Sequence, residues 1–241
     1  MSLISRTIPP KRIEYKKDGL EFVLRPFEPD DASRFQTALN TTLPDLYKFM
    51  LWPVQEWNFA ECLQWVVKTH AEYFMGTIFE WGCFDLKTGE LLGSVGIMPA
   101  NPVNPDNWEI GYWVTASHKN KGLGTLITQI ASAASFLCLK VTRLQVGSMK
   151  ENLASIRVIE KCGFQYEGTL RNFFPPPPKE RIQKGAISSD VDFLYSMLLE
   201  ELIRLPWYST IEQSARILPL YGSWTTFTIF AVKPLASAMG I

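Results

Sequence analysis

The chain has 241 residues, 46% hydrophobic and 20% charged, enough apolar material for one large domain or two small ones around a real core. Its 24 basic and 24 acidic side chains cancel, which removes the electrostatic basis for nucleic-acid binding and leaves any phosphate recognition to a local site. Cys62, Cys83, Cys138 and Cys162 stand singly, which argues against a zinc knuckle or a disulfide framework and predicts buried free thiols, no bound metal and a reducing, cytoplasmic setting.

Residues 1–19 hold no apolar core followed by a small-residue cleavage site, so they read as a loosely ordered lead-in and not as a secretory signal. Residues 20–27, "LEFVLRPF", alternate as a first strand, and Pro29, Asp30 and Asp31 open a helix running to about residue 38, with its acids in the first turn. The aromatic, proline-bounded "LPDLYKFMLWP" separates it from a second helix over 58–75, where Phe59, Cys62, Leu63, Val66, Val67 and Phe74 recur near helical spacing and Gly76 ends the run. "TIFEWGCFD" and "LLGSVGIM" flank "LKTGE" as two antiparallel strands, with Gly89 where a tight turn needs positive φ. "NWEIGYWVT" (107–115) follows as a third strand of that sheet.

From residue 123 the positions Leu123, Ile127, Ile130, Ala131, Ala134, Leu137 and Cys138 lie on one helical face. "RLQVGS" is a strand, "NLASIRVIEKC" a helix stopped by Gly163, "FQYEGTLR" a strand, and "DVDFLYSMLLEELIRL" a strand running into a short helix. Between the last two strands, residues 172–189 form a loop whose four consecutive prolines favour an extended polyproline conformation. Strands alternating with helices behind antiparallel hairpins give an α/β fold. Beyond residue 205 only Glu212, Arg216 and Lys233 are charged, so 206–241 is an apolar extension that either covers the core or makes an oligomer interface. Its most apolar part, 217–232, is shorter than the roughly 20 residues that span a bilayer and carries Pro219 and Gly222, so no membrane span is expected.

Residues 118–125, "HKNKGLGT", lie between a strand and a helix. Gly122 and Gly124 let the backbone pass close to a ligand, and the free amides of the first helical turn point outward as an anion site; a bland basic turn explains the same letters. The nucleotide P-loop and the three-glycine dinucleotide fingerprint are both absent. Asn152 is an acceptable N-cap for the later helix, and Ser155 is tolerated near its start.

The order "EIGYWV", then Lys-x-x-Gly-Leu-Gly, then "NLASIRVIEKCGFQYEGTLR", then "DVDFLYSMLLEE" closely resembles the GNAT superfamily of acyl-CoA N-acyltransferases. More narrowly it resembles the RimJ/RimL-type subfamily, whose named members acetylate ribosomal-protein N-termini. The likeness runs from about residue 20 to 205, which implies a lead-in of 1–19, an acetyltransferase domain of 20–205 and the C-terminal extension. It implies a mixed central sheet of about seven strands flanked by helices.

Its pyrophosphate loop falls on Lys119, Asn120, Lys121, Gly122, Leu123 and Gly124, followed by Thr125, whose backbone amides would hold acetyl-CoA; Lys119 departs from the family's Gln or Arg. Val114 would offer the backbone group closest to the thioester, and Asn152 and Ser155 match the family's strand-helix junction beside the CoA sulfur. The expected reaction is acetyl transfer to a primary amine, preferably a protein or peptide N-terminal α-amine, by direct attack, since no cysteine carries an activating motif. Glu109 is the candidate base, directly or through water, and Ser155 the candidate proton donor to the departing thiolate. Each also has an ordinary explanation, as an exposed strand acid and a helix-start serine. His70 and His118 read as structural or solvent-facing. Tyr112, Trp113, Trp52 and the 172–189 loop are where acceptor contacts are sought, although an aromatic such as Trp113 on a strand is commonly core.

The alternatives are a small-amine acetyltransferase for a polyamine, amino sugar or antibiotic, for which Glu56, Glu61 and Glu72 supply acids, and a non-catalytic acyl-CoA-binding sensor. The expected partners are acetyl-CoA and an amine acceptor, with no nucleic acid and no membrane, in a monomer or homodimer.

Overall fold

The computed structural model describes residues 8–17, 19–50, 52, 55–189 and 191–218. One sheet organises the chain. Its strands are β1 (Arg12–Lys17), β2 (Leu20–Pro26), β3 (Phe79–Asp85), β4 (Leu91–Pro99), β5 (Asn107–Val114), β6 (Arg143–Met149), β7 (Gln165–Arg171), β8 (Val191–Leu198) and β9 (Ala215–Leu218). They lie in the order β7-β8-β6-β5-β4-β3-β2-β1-β9. Every described pairing is antiparallel except β5 with β6. Nine strands stand where about seven are expected. The additions are both at one edge: β1 forms from the supposed lead-in, and β9 from the C-terminal extension, pairing Arg12 with Leu218 through Tyr15 with Ala215.

The helices are α1 (Ala32–Phe49), α2 (Phe59–Met75), α3 (Leu123–Ala134), α4 (Leu153–Cys162), α5 (Lys179–Gln183), α6 (Leu199–Leu202) and α7 (Pro206–Ser214). The second follows its expectation closely. Asn58 accepts from the Glu61 amide at 3.0 Å while the Glu61 carboxylate accepts from the Asn58 amide at 2.7 Å, and Gly76 ends the helix at φ 74°.

The first helix does not stop near residue 38 but continues through Pro44 to Phe49. Its apolar stripe explains the continuation: Phe35, Ala38, Leu39, Thr42 and Leu46 are buried at helical spacing, so packing outweighs the one backbone bond that proline removes. In α3 the expected face holds through Ala134, but the helix then widens into a π turn over Ser135–Leu139. The wider turn shifts the phase, so Phe136 and Leu139 are buried in place of Leu137 and Cys138.

Two buried clusters flank the sheet. One contains Leu123, Ile127 and Ile130 of α3 with Ile159 of α4; the other contains Phe35 and Leu39 of α1, Cys62 and Val66 of α2, and Trp113. Strand β5 feeds both by alternation: Trp108 and Ile110 join the first cluster, with Tyr112 and Val114 packed against it, while Glu109, Gly111 and Trp113 face α1 and α2.

The described part of the extension covers the core. Ile211 is buried and the Trp207 indole donates to the Cys162 carbonyl at 3.1 Å, while Leu205, just before the extension, occupies the space a side chain at Gly163 would need. The apolar segment 217–232 lies outside the described residues apart from Ile217 and Leu218. Among the described residues no helix is long and apolar enough to cross a membrane.

Candidate active site

The parallel pairing of β5 with β6 is short. It joins Asn107 to Arg143, Trp108 to Leu144 and Glu109 to Gln145, and among the described residues no strand pairs with that edge of β5 beyond Glu109. On its other edge β5 stays paired with β4 as far as Val114, and the Thr115 amide still donates to Leu92 at 2.9 Å. Backbone groups alternate in direction along a strand, so those of Tyr112 and Val114 point toward the departing β6. The sequence motif sits beside this opening. Asn120 at φ 59° and Gly122 at φ 78° turn the chain into α3, whose first amides, those of Leu123, Gly124 and Thr125, have no carbonyl partner within the helix. A β-carbon at Gly124 would only touch Val114 and Val158 at 3.5 and 3.7 Å, so the glycine keeps the approach to these amides low without filling a gap of its own.

Lys119 does not lean over this cradle. Its ammonium is ion-paired with Asp45 of α1, which ties the loop to the neighbouring helix. His118 is likewise structural, its Nδ1 lying 2.9 Å from the Thr115 hydroxyl, and His70 Nδ1 lies 2.7 Å from the Phe27 carbonyl. Asn152 caps α4 by accepting from the Ser155 amide at 3.2 Å. This orientation sets the Ser155 hydroxyl 3.0 Å from the Tyr112 phenol, and burial raises that phenol well above its ordinary pKa, so it stays a proton carrier at neutral pH. Glu109 accepts from the Gln145 side chain at 2.9 Å, at the last paired row before the strands part.

Beyond the opening, on the α1 and α2 side, is a cavity of about 250 Å³. Tyr112, Trp113 and Trp52 line it, as do Trp65, Glu72 and Glu80. Trp113 serves packing and cavity at once: it is 6% exposed and stacks edge-on against Phe35. The proline-rich loop acts from behind. Arg181, 7% exposed, donates to the carbonyls of Tyr47 and Met50 at 3.2 and 2.5 Å and thereby fixes the end of α1, where Met50 forms part of the wall. Of the three acids proposed for a polycationic acceptor, Glu72 lines the cavity, Glu61 is spent on capping α2, and Glu56 is exposed.

Glu80 escaped the sequence reading. Its carboxyl is hydrogen-bonded to Ser94, and burial pushes it up to about 7, with the Ser94 bond pulling down and the charge of Glu72 adding to the rise. The available signal was a lone acid inside the apolar strand "IFEWGCF". No described thiol is activated: burial raises Cys62 and Cys138 to about 11 and Cys162 to about 12, and Cys83 well above its ordinary value. No group of three or more His, Cys, Asp or Glu among the described residues is placed to hold a metal ion.

A family model of the acetyltransferase (GNAT) domain matches residues 21–165, more than half of the chain. The chain belongs to the GNAT acetyltransferase family. A curated relative, the probable N-acetyltransferase YjcK of Bacillus subtilis (strain 168), is 32% identical over 93 residues, 39% of this chain and 51% of that one. The uncharacterised protein YkkB of the same organism is 30% identical over 154 residues, 61% of this chain and 83% of the other. The chain thus spans about half the length of the first and most of the second. Among solved structures, Mycobacterium smegmatis RimJ in complex with CoA-disulfide aligns with TM-score 0.72 and 17% identity over 88% of this chain and 99% of that one. RimL, a ribosomal L7/L12 α-N-protein acetyltransferase in complex with coenzyme A, aligns with TM-score 0.62 and 16% identity over 78% and 99%. At these identities the RimJ/RimL likeness is one of fold.

In this GNAT domain the residues expected from sequence fall into two groups. Val114, 119–125, Asn152 and Ser155 gather around the parting of β5 and β6, while Glu109 lies one row below it on the cavity face.

Proposed function

We propose that the chain is an acetyl-CoA-dependent N-acetyltransferase whose domain of about residues 20–205 transfers acetyl to a primary amine, preferably a protein or peptide N-terminal α-amine. The observation that carries this reading is the edge of β5, unpaired among the described residues, opening at once onto the amide cradle of α3 and onto an acid-bearing cavity. The cradle suits a diphosphate, having outward amides, a left-handed glycine and no side chain at Gly124. The amides of 122–125 would hold the pyrophosphate, with Lys119, Asn120 and Lys121 in the approach to them. The backbone of Val114 would hold the pantetheine arm, and Asn152 would keep Ser155 facing the sulfur. Bound there, acetyl-CoA supplies an activated thioester and a thiol leaving group.

The chain's own groups do the rest. A carboxylate on the cavity face takes the ammonium proton, and Glu109, directly or through water, is the one marked by the sequence. Ser155, hydrogen-bonded to Tyr112, delivers a proton at the sulfur. Attack is direct, since burial keeps every described thiol protonated.

The α-amine preference follows from acidity: an α-amino group has a pKa of about 7.7–8.0 and lysine about 10.4, so a modest base suffices for the first. The RimJ and RimL likeness points the same way. The deciding experiment incubates the protein with labelled acetyl-CoA and a panel of N-terminal peptides, polyamines and aminoglycosides. Labelled peptides are expected. Label confined to a polyamine or drug would replace the acceptor, and acetyl-CoA binding without any labelled acceptor would make the chain a sensor.

A further inference from the structure

Strand register places three residues in one row across the cavity face: Glu80 on β3 lies opposite Gly96 on β4, and Gly96 lies opposite Gly111 on β5. The two glycines leave a trench one side chain deep. A β-carbon at Gly96 would come within 1.8 Å of Glu80 Oε2, so the carboxyl lies in the space that glycine vacates. Among the described residues nothing lies within 4 Å of such a carbon at Gly111, so the trench continues open to the edge of β5 where β6 has left. With strands about 4.8 Å apart, it spans roughly 10 Å from the β3 backbone to that edge. Trp52, Trp65 and Trp113 line the same cavity, aromatic groups of the kind that suit an organic cation.

We propose that this trench is the site of the acceptor's ammonium group and that Glu80 is the catalytic residue that takes its proton. The inference rests on the acetyl-transfer reading and names the residue and the acceptor class for it. In the step, the Glu80 carboxylate removes one proton from the ammonium. The neutral amine forms the C–N bond as the C–S bond breaks, its electron pair leaving on sulfur. The second amine proton reaches the sulfur through Ser155, and Glu80 returns its proton to solvent.

Ser94 can serve both states of Glu80. It donates to the carboxylate; once Glu80 is protonated, the acid donates to Ser94 Oγ and the serine hydroxyl turns to the Trp81 carbonyl, 2.9 Å away. The raised pKa of Glu80, about 7, lies close to that of an α-amine and far from that of lysine, so the proton transfer is nearly balanced for the first only. The other charges near the trench are largely occupied. On α2, Lys68 and Glu72 pair at 3.6 Å; on β5, Glu109 is held by Gln145; on β2, Arg25 is bound to Asp31 at 2.6 Å. Strand β4 contributes Ser94 and Met98 and no charge.

Calorimetric titration with benzylammonium, a cation throughout pH 6–8, tests the site without any assumption about the acceptor. Affinity is expected to rise about tenfold from pH 6 to pH 8 as Glu80 ionises, and Glu80→Gln is expected to abolish the rise. Gly111→Val, which blocks the trench without touching Glu80, should lose binding at an unchanged melting temperature and covers the event that Glu80→Gln misfolds. A flat wild-type titration, or a rise retained in Glu80→Gln, overturns the inference. With whichever free-α-amine peptide the wild type acetylates, kcat/KM should show an acid limb near pH 7 that vanishes in Glu80→Gln, and a limb that survives in Glu80→Gln overturns the inference as well. Benzylammonium binding that depends on Glu80, without acetylation of any amine, would sink the acetyl-transfer reading and leave the ammonium site standing.

Discussion

The two sides of β5 are built from different material. On the side where β6 departs, the proposed binding groups are backbone amides in one continuous stretch, 119–125, joined by Asn152 and Ser155 at the next helix start. On the cavity side they are side chains and missing side chains from β3, β4, β5 and α2, brought together by strand register. Backbone amides tolerate a change of side chain so long as the turn is kept, whereas a row across a sheet fails when one of its members changes. The first side is therefore expected to be insensitive to the identity of residue 119, and the second sensitive to a single methyl group.

The largest effect breaks the first side. Gly124→Glu sets a carboxylate against the pyrophosphate position, and CoA affinity measured by calorimetry should fall at least a thousandfold, about 4 kcal/mol. The fold should survive. The new β-carbon makes only ordinary contacts, helix propensity gains about 0.5–1 kcal/mol on leaving glycine, and an acid suits the first turn. Undiminished affinity would move the phosphate site elsewhere.

The same contrast explains what could be read from the sequence. Local signals were legible: the Asn152 cap, the glycine stops at 76 and 163, the hairpin around Gly89 and the loop before α3 each lie within a few residues. Long-range effects were not. Pro44 reads as punctuation until the buried stripe of α1 carries the helix through it. A one-residue phase shift in a π turn has no local mark, and β9 forms by pairing with β1 across most of the chain's length. Glu80 belongs to this second class. Its strand was found, but its meaning depends on Gly96 and Gly111 standing beside it, which only the register reveals.

A second measurement asks whether Glu80 is there for stability or for chemistry. Its folded pKa, about 7, is raised above the ordinary 4.5, so the folded state binds the proton more tightly. The stabilisation is therefore complete below about pH 4 and is lost as pH rises through about 7, amounting to up to about 3 kcal/mol at pH 8. Glu80→Gln mimics the protonated form and should melt several degrees above the wild type at pH 8 and level with it near pH 4, by differential scanning calorimetry. A variant that melts lower at pH 8 would make the carboxylate a structural partner instead.

Gly96→Ala sharpens the cavity side more gently. The added methyl takes the place of the Glu80 carboxyl, whose flexible end can swing aside, so folding should change little while kcat/KM for the acceptor falls about tenfold, roughly 1.4 kcal/mol. CoA affinity should not move. A parallel loss of CoA affinity would show that the two sides of β5 are coupled rather than separately built.

The smallest effect is expected at Lys119, the position that departs from the family's usual residue. Its ammonium pairs with Asp45 with both side chains in contact with water, 40% and 35% exposed, a setting in which an ion pair contributes about 0–1 kcal/mol. Lys119→Ala should therefore cost less than about 1 kcal/mol in urea unfolding and only a few-fold in CoA affinity, since the amides of 122–125 remain. Asp45→Asn makes the opposite change, releasing the lysine toward the mouth of the cradle, and should raise CoA affinity slightly at low salt with the gain screened away at high salt. If Lys119→Ala instead loses a hundredfold, the side chain and not the backbone holds the diphosphate, and the two sides of β5 are alike in depending on individual side chains.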